Sequence, residues 1–124
     1  MSVVNSTKSS RARSEGHNLV AGAPTIIYEC PNNFTAYVVL LFVSNLGSGN
    51  KTVTLEWYDK TDDTWYFIIG GYVLSAYNFL KLSEGYLVLN SGDKLRVTSE
   101  AGSTMSSLVT VEELFDPTNG NGTL

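Results

Sequence analysis

The run Tyr37-Val38-Val39-Leu40-Leu41-Phe42-Val43 constrains this chain more than any other stretch. Side chains alternate along a strand, so Val39, Leu41 and Val43 point one way and Val38, Leu40 and Phe42 the other. A half-solvated antiparallel strand alternates apolar with polar residues. This one is apolar on both faces, so both faces require cover. In a chain of 124 residues the domain itself covers one face. The other falls to a layer of loops, an extra sheet edge or a second copy of the protein, and self-association is the favoured reading. The face left to such cover is either that of Val38, Leu40 and Phe42 or that of Val39, Leu41 and Val43, and Val38, Leu40 and Phe42 are the candidate subunit-contact residues.

A chain of this length fits one domain and buries a core without metal or disulfide staples. Charged residues make up 16% of it, against about 25% in a typical globular domain. A surface short of charge suits burial in an assembly and is also common in small all-β domains. The net charge of −4 argues against nucleic acid as a partner, since phosphate binding needs clustered Lys and Arg. Lys8, Arg11 and Arg13 precede Gly16 with only Glu15 opposing them. This basic segment reads as a flexible arm over residues 1–16, either disordered or ordered on a neighbouring subunit. The first sixteen residues contain no apolar run of signal-peptide length, and the run from Tyr37 is far shorter than the roughly 20 residues of a membrane helix. A soluble chain with no membrane partner is expected. Cys30 is the single cysteine, so no intrachain disulfide forms, and it reads as a small buried residue.

The chain reads as strands from end to end. The candidates are Asn18 to Val20, Thr25 to Cys30, Phe34 to Leu46, Lys51 to Asp59, Thr64 to Ile69, Asn78 to Leu82, Tyr86 to Leu89, Lys94 to Thr98 and Ser106 to Phe115. Turn chemistry separates them, as in Pro31-Asn32-Asn33, Gly47-Ser48-Gly49-Asn50 and Ser91-Gly92-Asp93. Evenly spaced short strands with Gly-rich turns predict an all-β fold. The expected form is a single antiparallel β-sandwich with Greek-key or jelly-roll-like connections over residues 17–115. Residues 116–124 read as a flexible tail.

With Asp62 near the tip of a hairpin, Tyr58 opposes Trp65 and Trp57 opposes Tyr66. Val53, Leu55, Trp57, Tyr66 and Ile68 then share the core side, and Thr54, Glu56, Tyr58, Trp65 and Phe67 the surface side. A bulge would reverse half of this. In the last strand Val109 and Val111 share a face with Glu113, which places that strand near an edge or carries its charges to a rim.

Little in the chain supports catalysis or a cofactor. His17 is the single histidine, with nothing nearby in sequence to orient it as a base. Cys and His are too few for a zinc site. Asp59, Asp62 and Asp63 form an acidic turn without the glycine and distal glutamate of a calcium loop, and read as solvated turn residues. Glu112 and Glu113 are adjacent and face opposite sides of a strand, so they do not form a carboxylate pair. No metal, cofactor or catalytic residue is assigned. Tyr58 and Trp65 form an aromatic pair on a sheet surface. It reads as a hairpin-stabilising cross-strand pair, a protein contact, or a platform for a sugar ring.

The order of features carries a resemblance. Thr25 to Pro31 is extended, and a long apolar strand ends in Ser44-Asn45 before the amphipathic Thr52 to Asp59. Tyr72-Val73-Leu74-Ser75-Ala76 leads to Phe79-Leu80-Lys81-Leu82. Then come Tyr86-Leu87-Val88-Leu89, Ser91-Gly92-Asp93, Lys94-Leu95-Arg96-Val97 and Val109-Thr110-Val111-Glu112-Glu113. Over roughly residues 22–115 this resembles the small β-sandwich virion structural proteins of tailed bacteriophages, both capsid-decorating proteins and accessory proteins of the neck and tail. The resemblance implies a non-enzymatic role, location in the virion after synthesis in the host cytoplasm, and terminal arms that extend the domain. It implies as partners other copies of the chain and capsid or tail proteins of the same particle. The rival is a carbohydrate- or host-receptor-binding sandwich of a tail fibre, resting on Tyr58 and Trp65.

Overall fold

The computed structural model describes residues 10–85 and 87–118. Nine strands lie among them: β1 (Ser10–Asn18), β2 (Pro24–Glu29), β3 (Phe34–Asn45), β4 (Lys51–Asp59), β5 (Thr64–Leu74), β6 (Phe79–Leu82), β7 (Leu87–Leu89), β8 (Lys94–Ser99) and β9 (Met105–Phe115). All pairings are antiparallel. One sheet, A, runs β1-β9-β3-β6, with β7 also on β3; the other, B, runs β2-β8-β4-β5. The chain changes sheet at each step from β1 to β4, makes one hairpin in sheet B, returns to sheet A for β6 and β7, and changes sheet again for β8 and β9. This is the wrapped strand order of a jelly roll, with one edge position shared by the short strands β6 and β7. The expected all-β antiparallel sandwich is the fold of the chain.

The core lies between the sheets and draws on alternate residues of each strand. Leu95 and Val97 of β8 and Val53 and Leu55 of β4 face Val109 and Val111 of β9 and Leu41 and Val43 of β3. Each such side chain, fully buried, contributes about 1.5–3 kcal/mol of hydrophobic stabilisation. Buried polar nodes tie down the loops at the ends. The Asp93 carboxylate accepts the Lys60 and Asn90 amides, both at 2.9 Å. Beside it Gly92 has φ +86, and a Cβ there would stand 2.9 Å from Lys60 Cδ. The Asn45 side-chain amide donates to the Gly49, Leu74 and Ser75 carbonyls while its oxygen accepts the Gly47 amide.

Four sequence-based expectations are corrected. β3 carries a bulge between Val38 and Leu40, which shifts the alternation by one residue. Val38 therefore turns into the core with Ala36, Leu41 and Val43, and parts from Leu40 and Phe42, which face out. In the β4–β5 hairpin Tyr58 opposes Trp65 and Trp57 opposes Tyr66 as expected, but β5 is bulged further along. Leu55 pairs with Ile69, so Ile69 packs on the core and Ile68 is exposed. The third correction concerns the amino-terminal segment. Residues 10–16, read as part of a flexible arm, form most of β1 and pair with β9 of the same domain from Ser10↔Leu114 to Asn18↔Ser106. Residues 10–16 therefore belong to the domain, and residues 1–9 of the expected arm lie outside the described residues. Finally, β9 lies between β1 and β3 rather than at an edge, and Glu113 is fully buried.

Candidate functional site

Three places could carry a function: the outer face of sheet A, the outer face of sheet B, and a buried carboxylate between the sheets. The register fixes the first. Tyr37↔Glu112, Leu40↔Thr110 and Phe42↔Leu108 all point away from the core. Val88 stands opposite Tyr37 and Phe79 opposite Ser44 on the same side. The Phe42 and Phe79 rings lie 5.6 Å apart. Leu108, Val88 and Phe79 are exposed, and no described segment lies over them. β1 borders this face with the small residues Ala12, Ser14 and Gly16, and the apolar cluster is flanked by Lys81, opposite Phe42, and by Glu112, opposite Tyr37. Of the candidate subunit-contact residues, Leu40 and Phe42 stand on this face. Val38 lies beneath it, at the floor of an opening of about 150 Å³ between β6 and β7 where β3 bulges.

On the outer face of sheet B, cross-strand rows follow from register: Lys94–Tyr58–Trp65 and, one row on, Arg96–Glu56–Phe67. Tyr58 and Trp65 meet as expected, with ring centroids 5.0 Å apart at 42°. They are not bare. The Arg96 guanidinium lies 3.8 Å over the Trp65 ring and is held there by the Glu56 carboxylate, which accepts from its Nε at 2.8 Å and NH2 at 3.1 Å. Lys94 lies 5.3 Å over Tyr58, and the Tyr58 hydroxyl donates to Asp63. Cation–π contacts of this kind stabilise both partners, so a sugar stacking on Trp65 would first have to displace Arg96. Phe67 remains open at 71% exposure.

The buried carboxylate is Glu113. It accepts from Arg11 Nε of β1 at 2.6 Å and from the Tyr28 hydroxyl of β2, with Arg13 at 3.9 Å. Strands from both sheets thus converge on one charge, and Arg11 also covers the Phe34 ring at 4.7 Å. Burial, then the hydrogen bond to Glu113, pushes the Tyr28 phenol far above its ordinary range. Burial and the same carboxylate push the Cys30 thiol up to about 12, and its Sγ sits 3.2 Å from the Phe34 carbonyl oxygen. A neutral buried thiol of this kind is a poor nucleophile. This constellation was missed from sequence, although the shared parity of Glu113 with Val109 and Val111 already placed it inward. Its partners Arg11 and Tyr28 come from strands about a hundred and 85 residues away in sequence.

His17 has a carboxylate beside it, Glu15 Oε1 at 3.3 Å. The register sets Ser107 opposite His17, but its hydroxyl has no hydrogen-bond partner, so no nucleophile–base pair forms there. Asp59, Asp62 and Asp63 are engaged within their own hairpin, with the Thr61 amide, the Tyr66 hydroxyl and the Tyr58 hydroxyl respectively. Among the described residues no group of three or more His, Cys, Asp or Glu is arranged to hold a metal ion.

Fold and surfaces together define the class: a jelly-roll β-sandwich. No family model and no curated protein matches the sequence. Solved structures match the fold. A chain of the Bacillus endospore appendages, which form disulfide-linked pili, aligns over 94% of this chain and 96% of its own with TM-score 0.53 and 12% identity. The VP2 protein of infectious bursal disease virus in its D431N form, from T=1 particles, aligns over 94% of this chain with TM-score 0.55 and 10% identity. A VP2 subviral particle gives 0.50 and 11% over 93%. This chain spans about a third of the length of VP2, 34% and 35% in the two structures. At these identities the likeness is one of fold.

Proposed function

We propose that the chain is a non-enzymatic structural subunit of a virion, present in many copies, that associates with itself and docks on the capsid or the neck and tail of a tailed-phage particle. The observation that carries this reading is the outer face of sheet A. Leu40 and Phe42 of β3, a strand already buried on its other side, join Phe79 of β6 and Leu108 of β9 in an apolar cluster flanked by Lys81 and Glu112. Solvent contact of such a face is unfavourable, and assembly removes it at about 25 cal/mol per Å² of apolar surface covered. The low charge content of the chain fits the same role, as does the likeness of its fold to a viral protein that forms T=1 particles and to a chain of pilus-like appendages.

Light scattering on the purified chain tests it. The expected result is a defined oligomer, or many copies co-sedimenting with the particle, and weakened association in Phe42→Glu with the far-ultraviolet spectrum unchanged. A monodisperse monomer that binds neither capsids nor tails defeats the proposal.

A further inference from the structure

We propose that β5 pairs edge to edge with β5 of a second copy, antiparallel about a two-fold axis, joining two B sheets into one. This rests on the self-association proposed above and names the element that carries it.

Exposed strand edges invite pairing, and proteins guard them with short strands, charges, proline or bulges. Three of the four sheet edges among the described residues carry one of the first three guards, and β5 carries bulges alone. β2 has six residues and opens on Pro24. β6 and β7 have four and three residues, with Lys81 in the first. β1 carries Arg11, Arg13 and Glu15 on its inward side. β5 differs: its eleven residues, Thr64–Leu74, include no charged residue and no proline. Phe67, Ile68, Tyr72 and Val73 are all exposed along it.

The bulges of β5 determine how such an edge pairs. They interrupt its ladder with β4 around Ile68 and around Gly70–Gly71, leaving Thr64–Phe67 and Tyr72–Leu74 as regular segments. A two-fold axis at Ile69 lays the first segment of one copy against the second of the other. Trp65 then faces Val73 of the second copy, and Tyr66 faces its Tyr72.

Charge favours an identical, antiparallel partner. At one end of β5 the turn carries Asp59, Asp62 and Asp63 against Lys60; at the other end Lys51 pairs with Leu74. The two-fold arrangement sets each acidic turn near the Lys51 end of its mate, on the order of 10 Å away and so about one Debye length. Glu100, which accepts the Thr52 amide, lies on the β8 side of β4, away from this edge. Parallel pairing would bring the two acidic turns together, and the strand itself brings no like charges into opposition.

The test uses the full chain and two double variants at exposed positions, Phe67→Lys with Val73→Lys, and Phe67→Glu with Val73→Glu. Each variant alone should raise the self-dissociation constant by about a hundredfold, read by concentration-dependent light scattering. An equal mixture should recover association, because Phe67 of one copy and Val73 of the other are diagonal neighbours on one face of the joined sheet, so each lysine then lies beside a glutamate. Loss without recovery in the mixture overturns the proposal. So does wild-type mass in both variants; if Phe42→Glu then dissociates, self-association stands and β5 alone is refuted, whereas a monomeric wild type refutes both readings. Hydrogen exchange on the unmodified chain gives an independent measurement. The amides of Thr64–Phe67 and Tyr72–Leu74 that point away from β4 should gain protection on going from dilute to assembled protein, and unchanged protection overturns the β5 interface.

Discussion

Replacing Glu113 with glutamine removes the charge at which the two sheets and β1 meet while keeping the side chain's shape. The carboxylate receives two donors, Arg11 Nε and the Tyr28 hydroxyl. An amide offers one acceptor oxygen and turns an NH2 group on the other donor. Tyr28 is 2% exposed, so an orphaned hydroxyl there costs about 1–2 kcal/mol. Arg11 is half in solvent, its side chain 53% exposed; it rehydrates, and losing the charge-assisted bond costs about 0.5–1 kcal/mol. The sum is roughly 1.5–3 kcal/mol, or a fall in Tm of about 6–12 °C for a chain of this size. Tyr28→Phe should cost about 1–1.5 kcal/mol. The double variant should cost less than the sum by about 1 kcal/mol, because the glutamine oxygen then serves Arg11 alone. Urea denaturation of the four proteins, with thermal melts, measures the cycle. Single effects below about 0.5 kcal/mol that add without coupling would show that Glu113 is not the shared acceptor, and the account of how the sheets are tied would fall.

Other outcomes follow from the same structure. The Cys30 thiol has its pKa raised from 9.0 to about 12 in the folded chain. Its neutral form is thus favoured by folding, and its contribution is complete below pH 9 and lost as pH rises from 9 toward 12, at up to about 1.4 kcal/mol per unit. Stability measured at pH 8 and pH 10 should fall less in Cys30→Ala than in the parent chain, and a thiol reagent at pH 8 should label Cys30 only after denaturant is added. Asp93→Ala orphans the Lys60 and Asn90 amides at a buried turn and should cost about 2–4 kcal/mol by denaturant titration. Arg96→Ala uncovers Trp65. It should change the near-ultraviolet dichroism of the aromatic pair at a cost of about 1 kcal/mol, whereas an unchanged spectrum would mean that Arg96 does not rest on the ring.

Where alternation of apolar residues was clean, local sequence was enough. Leu95 and Val97 in β8, and the opposition of Tyr58 to Trp65 across a turn centred near Asp62, follow from a period of two and from turn chemistry. β1 carried a period-two signal as well, but of charge: Arg11, Arg13, Glu15 and His17 alternate with Ser, Ala, Ser and Gly. A pattern without apolar residues reads as disorder unless the acceptor that pairs its first arginine, Glu113, is known to lie beside it.

The chain's own sequence determined the all-β class, the strand and turn positions apart from β1 and the second half of β5, and the doubly apolar character of Tyr37 to Val43. These depend on neighbours within a few residues. Tertiary structure alone decided which residues of that run face which way, because the bulge at Val38–Leu40 lies where β3 is shared between β9 on one side and β6 and β7 on the other. It also decided that Glu113 is buried with partners rather than carried to a rim. A charge is tolerated inside only when donors from distant strands are brought to it, and no local pattern encodes where those strands will lie.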